Sequence, residues 1–348
     1  MKASCEKDSL FPLKPRFSKE TCSCTTDCSC PDAPSSMKGR IEGKRISTEC
    51  ALLDLHAPVR TESDPEITTS TAHSPDLTAT DLRQALIDNR LRVHYQPLVD
   101  LKSGKVRSVE ALLRWEHPEY GNLNPEMVVD LAERSGLIGA LTDWVMTTAL
   151  KACAEWRNQG WDFRVSVNAT PKLLLDTEFS DRVMTILDNT GVPPECLMIE
   201  ITEGQSITEK LQVLETLARL RLARVNLAID DFGTGYSSLG RLHSLPFSEL
   251  KIDKSFVMDT PNDPRRQLIV RAIAELGRSL GMTVVAEGVS SREAWDLVKS
   301  IGCDIAQGYY VSRPLPAETL TEWLYSRDIP KASSARTLDK SADRNRVS

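Results

Sequence analysis

Ala228-Ile229-Asp230-Asp231-Phe232-Gly233-Thr234-Gly235-Tyr236-Ser237-Ser238-Leu239 is the stretch on which the reading of this chain turns. With Val225 and Leu227 before it, Ile229 marks a buried strand, which ends in two adjacent carboxylates. Gly233 and Gly235 then free the backbone for a sharp turn, and a helix is expected from Tyr236. Neighbouring residues of a regular strand point to opposite faces. Asp230 and Asp231 can therefore share a target only where the strand ends and twists away. Paired carboxylates repel, and a divalent cation between them relieves the repulsion. A solvated acidic loop is the plainer reading of a bare Asp-Asp. The apolar strand before it and the glycines after it favour a site.

Outward from this stretch, short apolar strands alternate with longer helical segments. Strands are expected at Arg92–Leu98, Arg107–Leu113, Arg164–Asn168, Leu197–Ile201, Asn226–Asp230, Glu249–Asp253, Thr283–Glu287 and Asp304–Tyr309. Between them, helical spacing puts Leu141, Val145, Ala149 and Ala152 on one face. Val213, Leu217 and Leu220 do the same, as do Leu268, Ala272, Ile273 and Leu276. Pro125 suits the first turn of a helix through Met127, Val128 and Leu131. Alternating β and α elements imply a parallel sheet, either closed into a (β/α)₈ barrel or open and doubly wound. Residues 81–327 are close to the roughly 250 residues of one such barrel.

The polar residues fall in a pattern. Glu110, Asn168, Glu200, Asp230 with Asp231, Lys251 with Asp253, Glu287 and Gln307 each lie in or at the end of an apolar strand. Successive members are one βα unit apart, and the longer gap before Asn168 has room for two helices. A buried carboxylate is costly unless paired or metal-bound. One polar group at the end of strand after strand is how a barrel builds an active site at one rim.

The flanks differ. Residues 1–80 and 328–348 are rich in Ser, Thr, Pro and charge and lack sustained periodicity, so a disordered leader and tail are expected. Six of the nine cysteines lie in that leader. Cys22, Cys24, Cys28 and Cys30 form a CxCxxxCxC run that is not a standard zinc pattern. Soft-metal binding or redox sensing is the alternative to incidental cysteines there. Cys153, Cys196 and Cys303 sit in apolar surroundings and read as reduced core residues. A net charge of −6 argues against binding polymeric nucleic acid through a general basic field. No apolar run is long enough to cross a bilayer, and the N-terminus lacks a secretory apolar core, so no membrane insertion and a cytoplasmic location are expected.

The strand ends offer carboxylate and amide oxygens, and none of the five histidines joins them. Hard oxygen ligands favour Mg²⁺ or Mn²⁺. Glu110, Glu200, Asp230, Asp231 and Asn168 are more ligands than one such ion needs, so two ions are expected. A two-metal site suits in-line displacement at phosphorus. Lys251 can orient water or offset phosphate charge, and Arg114 can grip a phosphate oxygen. Phosphodiester hydrolysis is the reading favoured, with other metal-assisted reactions left open. His94, His117, Trp115, Trp144 and Trp156 read as packing residues, and Arg265-Arg266 as a solvated helix start.

Together the motifs Tyr95-Gln96-Pro97, Glu110-Ala111-Leu112-Leu113-Arg114-Trp115, Glu200-Ile201-Thr202-Glu203 and Asp230 to Leu239 resemble the EAL-domain family. Lys251-Ile252-Asp253, Ala286-Glu287-Gly288-Val289 and Gln307-Gly308-Tyr309 extend the resemblance across residues 81–327. It implies a modified, TIM-like (β/α)₈ barrel whose first strand is antiparallel. The implied activity is metal-dependent cleavage of cyclic di-GMP to linear pGpG. Glu110, Asn168, Glu200, Asp230 and Asp231 are implied as metal ligands, and Lys251 and Glu287 as the pair around the attacking water. Gln96 and Arg114 are implied as substrate contacts and Gln307 as lining the site. Glu203 would prop the loop after Asp231, which in the family links the metal site to a dimer interface, and Asp253 would also support the site. A homodimer is left open. The chain departs from the family pattern at Ser290, where a second glutamate is usual, and at Thr170, which keeps a hydroxyl in place of serine. The alternative is a catalytically silent cyclic di-GMP receptor; such proteins lose the glutamate of Glu-Ala-Leu or an aspartate of the Asp-Asp loop, and both are kept here.

Overall fold

The computed structural model describes residues 77–203, 211–234 and 245–328. The leader with its cysteines, the segment after Asp328 and the helix expected from Tyr236 lie outside these residues. The expected strands are all found, as β1 Leu91–Asp100, β2 Val106–His117, β4 Arg164–Ala169, β5 Leu197–Thr202, β6 Asn226–Phe232, β7 Glu249–Ile252, β8 Thr283–Ala286 and β9 Ile305–Gln307. A two-residue β3, Gly121–Asn122, extends β2 as a hairpin and is too short to carry a periodic signal.

The sheet runs β1-β9-β8-β7-β6-β5-β4-β2, and β1 pairs with β2 to close it into a barrel of eight strands. Neighbours from β2 through β9 are parallel. β1 is antiparallel to both of its neighbours. The open doubly wound alternative is thereby excluded. The link between β1 and β2 is a tight turn: Asp100 Oδ1 accepts from the N–H groups of Lys102 and Ser103, and Gly104 takes φ +73°. Such a short link cannot carry a crossover helix, so the pair must run antiparallel.

The gap before Asn168 holds two helices, Pro125–Ser135 and Ile138–Asn158. Asn124 caps the first, with Pro125 in its opening turn, and Gly136 ends it in the left-handed conformation. Leu141, Val145, Ala149 and Ala152 form the buried face of the second, as their spacing predicts. Val213, Leu217 and Leu220 do so in helix Leu211–Leu222. Helix Pro264–Ser279 departs from expectation. Its buried residues are Val270, Ile273, Ala274 and Gly277, while Leu268 is 66% exposed and Ala272 also faces solvent. The contact is centred on a glycine: a Cβ at Gly277 would lie 2.6 Å from Val284 Cγ2 of β8.

Outward-facing strand residues pack under the helices in one large apolar core. Leu98, Val285 and Ile305 form a separate buried cluster inside the barrel. They stand two residues from Gln96, Glu287 and Gln307 on the same strand faces, so an apolar floor lies beneath the polar rim. Each contributes about 1.5–3 kcal/mol by burial. Cys153, Cys196 and Cys303 are buried and reduced, and burial pushes the thiols of Cys153 and Cys303 up to about 12. No helix among the described residues is long and apolar enough to cross a membrane.

Candidate active site

The C-terminal ends of the parallel strands bring the acidic residues to one mouth. β7 and β8 stop one residue earlier than expected, so Asp253 and Glu287 stand just past their strands. Glu110, Glu200 and Asp230 each offer a carboxylate oxygen within 4.8 Å of the others, and Asp230, Asp231 and Glu287 form a second such group. Asp230 and Asp231 converge because the backbone breaks its alternation there. Asp231 takes φ +52°, and the pairing of β6 with β7 shifts between Ile229 and Phe232. A non-glycine residue in this region is uncommon and costs of order 1 kcal/mol or more. The turn that follows is held by Glu203, whose Oε2 accepts from Gly233 N–H at 2.8 Å.

Lys251 stands at the centre. Its Nζ lies 2.6 Å from Glu287 Oε1, 2.7 Å from Glu200 Oε2 and 2.9 Å from Asp230 Oδ1, with Glu110 Oε2 at 3.6 Å. Burial acts to lower the ammonium's pKa, but Asp230, Glu110, Glu200 and Glu287 together outweigh it and hold it well above the usual lysine value. Burial raises Glu200, with Lys251 opposing. It pushes Glu287 up to about 8, again against Lys251. Asp231 rises to about 6 through burial and then the charges of Asp230 and Asp253. One ammonium does not neutralise five clustered carboxylates, which is the electrostatic demand a divalent ion would meet. Glu200 Oε1 is buried with no hydrogen-bond partner among the described residues, so it too fits a cation.

Amide groups steer Glu110. Asn168 Nδ2 donates to its Oε1 at 2.7 Å, and Gln307 Nε2 donates to its Oε2 at 2.7 Å. This leaves Asn168 Oδ1 as the atom suited to a metal. Gln307 also donates to Gln96 Oε1 at 3.1 Å, and Gln96 donates to Ser312 O. The two glutamines thus form a chain that grips Glu110, a contact that the motif pattern does not reveal. Arg114 is half-buried further along β2, where burial lowers its pKa and one N–H is taken by Leu113 O. Asp253 receives Ser255 N–H at the start of the next helix, a capping role.

Two further pairs escaped sequence reasoning. Glu249, 2% exposed, lies 3.5 Å from Arg164 across the barrel interior, with β5 and β6 between their strands. Its only sequence sign is its place two residues before Lys251 on the same strand face. Past β9, the Arg313 guanidinium stacks over the Tyr309 ring at 4.3 Å; nothing in the spacing marks it. The packing readings of the aromatics hold for Trp115 and Trp156, both 2% exposed, and His117 stacks on Tyr120. Ser290 is exposed.

The family model for the EAL domain matches residues 79–314. The chain belongs to the EAL domain family. A relative from Caulobacter vibrioides, an uncharacterised signalling protein, is 42% identical over 263 residues, covering 74% of this chain and 32% of its own. Cyclic di-GMP phosphodiesterase NbdA of Pseudomonas aeruginosa is 40% identical over 261 residues, covering 75% of this chain and 33% of its own. The chain therefore matches about a third of the length of these curated relatives. Among solved structures, the PaMucR phosphodiesterase in complex with c-di-GMP superposes with a TM-score of 0.66 at 40% identity. That match covers 69% of this chain and 98% of the other.

Proposed function

We propose that this EAL chain hydrolyses cyclic di-GMP to linear pGpG with divalent ions, Mg²⁺ or Mn²⁺, two per site. The observation that carries the reading is the meeting of five carboxylates, Asn168 and Lys251 at one barrel mouth. The likeness to a phosphodiesterase bound to c-di-GMP supports the substrate. Glu110, Asn168, Glu200, Asp230 and Asp231 are the ligands; two oxygen triads sharing Asp230 suit two neighbouring ions. Bound ions would polarise the phosphate and supply a nucleophilic water at neutral pH. Lys251 orients that water and offsets charge on the phosphate. Glu287, 2.6 Å from the Lys251 ammonium, takes the proton. Gln96, Arg114 and Gln307 contact the substrate, while Glu203 and Asp253 hold the surrounding turns.

The test is incubation of purified protein with cyclic di-GMP and Mg²⁺ or Mn²⁺, with separation of products. Linear pGpG is expected, and Glu110→Ala should lower turnover at least about 10²-fold, as loss of a metal contact does. Binding of cyclic di-GMP without cleavage would turn the reading to a receptor. Full activity of the Glu110→Ala protein would end the ligand assignment.

A further inference from the structure

An ammonium group has three N–H donors, and Lys251's three short contacts all go to carboxylates: two to the proposed ligands Glu200 and Asp230, and one to Glu287, the proposed proton acceptor. Glu200 and Asp230 belong to the first oxygen triad, Asp230 and Glu287 to the second. The lysine thus sits between the two groups and touches both. Its side chain is 1% exposed. A Mg²⁺ ion binds oxygen at about 2.0–2.1 Å and demands near-octahedral geometry. An ion bound by Glu200 and Asp230 would stand close beside the ammonium that those carboxylates now hold, and like charges at such separations in a buried site repel strongly. The lysine stem is flexible and its charge compact, which suits a group that moves aside.

We propose that Lys251 is the resident counter-cation of this cluster, and that divalent ions load by displacing its ammonium from Glu200 and Asp230. On this account Lys251 sets metal affinity as well as acting on the water. In the metal-free protein it holds the carboxylates together against their mutual repulsion. In the loaded protein it is released toward Glu287, the contact that places it beside the attacking water. The inference rests on the metal-dependent reading above.

Calorimetric titration of MnCl₂ into the metal-free full chain and into the Lys251→Met and Lys251→Gln proteins tests it. The variants lack the competing cation and should bind the first Mn²⁺ on the order of tenfold more tightly or better, even though turnover falls. Equal or weaker binding by the variants overturns the proposal. Absence of Mn²⁺ binding by the wild-type chain overturns the metal-dependent reading itself, so the two failures are distinct. A second measurement needs no unfolding-prone variant: nitrogen-detected NMR of the lysine ammonium groups in the wild-type chain. A protected Lys251 resonance in metal-free protein should move on Mg²⁺ addition. One that stays unchanged at saturating Mg²⁺ overturns displacement.

Discussion

Glu110 accepts one amide N–H on each of its oxygens, from Asn168 and from Gln307. Partners of this kind orient a ligand and typically matter about 10–100-fold in metal affinity or activity. Gln307→Leu should therefore weaken Mn²⁺ binding by about that factor, measured by calorimetry; a change in substrate KM alone would return Gln307 to a purely substrate-contacting role. Protonation offers a second check. Burial raises Glu287 to about 8 and Asp231 to about 6, above ordinary values of 4.5 and 3.8. The folded state then holds protons that the unfolded chain has released, so stability falls as pH rises. The contribution is complete below the ordinary carboxylate range and is lost through about pH 6 and then about pH 8. The metal-free protein should show a lower urea midpoint at about pH 8 than at about pH 5, and saturating Mg²⁺ should flatten the difference. A midpoint that rises with pH would contradict the burial of these groups. At this scale the acidic strand ends were legible because buried carboxylates are conspicuous in apolar strands. The amide chain through Gln96 was not, because hydrogen bonds between side chains of different strands leave no mark on spacing.

Helix Pro264–Ser279 shows where periodicity misleads. Counting apolar residues favours Leu268 and Ala272, yet the helix turns Gly277 onto β8 because the strand approaches too closely for any side chain. Gly277→Ala gains about 1 kcal/mol of helix propensity but forces a methyl to within 2.6 Å of Val284. Overpacking of this sort costs about 1–3 kcal/mol, so a net loss of stability is expected in urea unfolding. A gain would mean that the helix shifts freely on the sheet. By contrast, the spacing of Leu141, Val145, Ala149 and Ala152 does mark the buried face of their helix, which packs through side chains of ordinary size.

For the whole molecule, the alternation of strands and helices made the barrel legible, and the resemblance supplied the reversed direction of β1. Periodicity carries no direction; the brevity of the turn 101–105 does, once β1 and β2 are paired. The expected boundary at residue 81 falls inside helix Ala79–Ile87, which Thr78 and Asp81 cap reciprocally. A chain of residues 77–328 should fold and retain hydrolysis, whereas one beginning at residue 82 should be less stable by about 1 kcal/mol from loss of the cap. Insolubility of the longer piece would show that the preceding residues are needed by the barrel.

The three cysteines of that barrel give it a built-in clock. Cys153, Cys196 and Cys303 are buried, and burial keeps each in the unreactive thiol form. In a 77–328 chain, a disulfide-exchanging dye should colour only as molecules open. The rate of colour would then count openings directly, and a bound metal or dinucleotide that holds the mouth together should slow it.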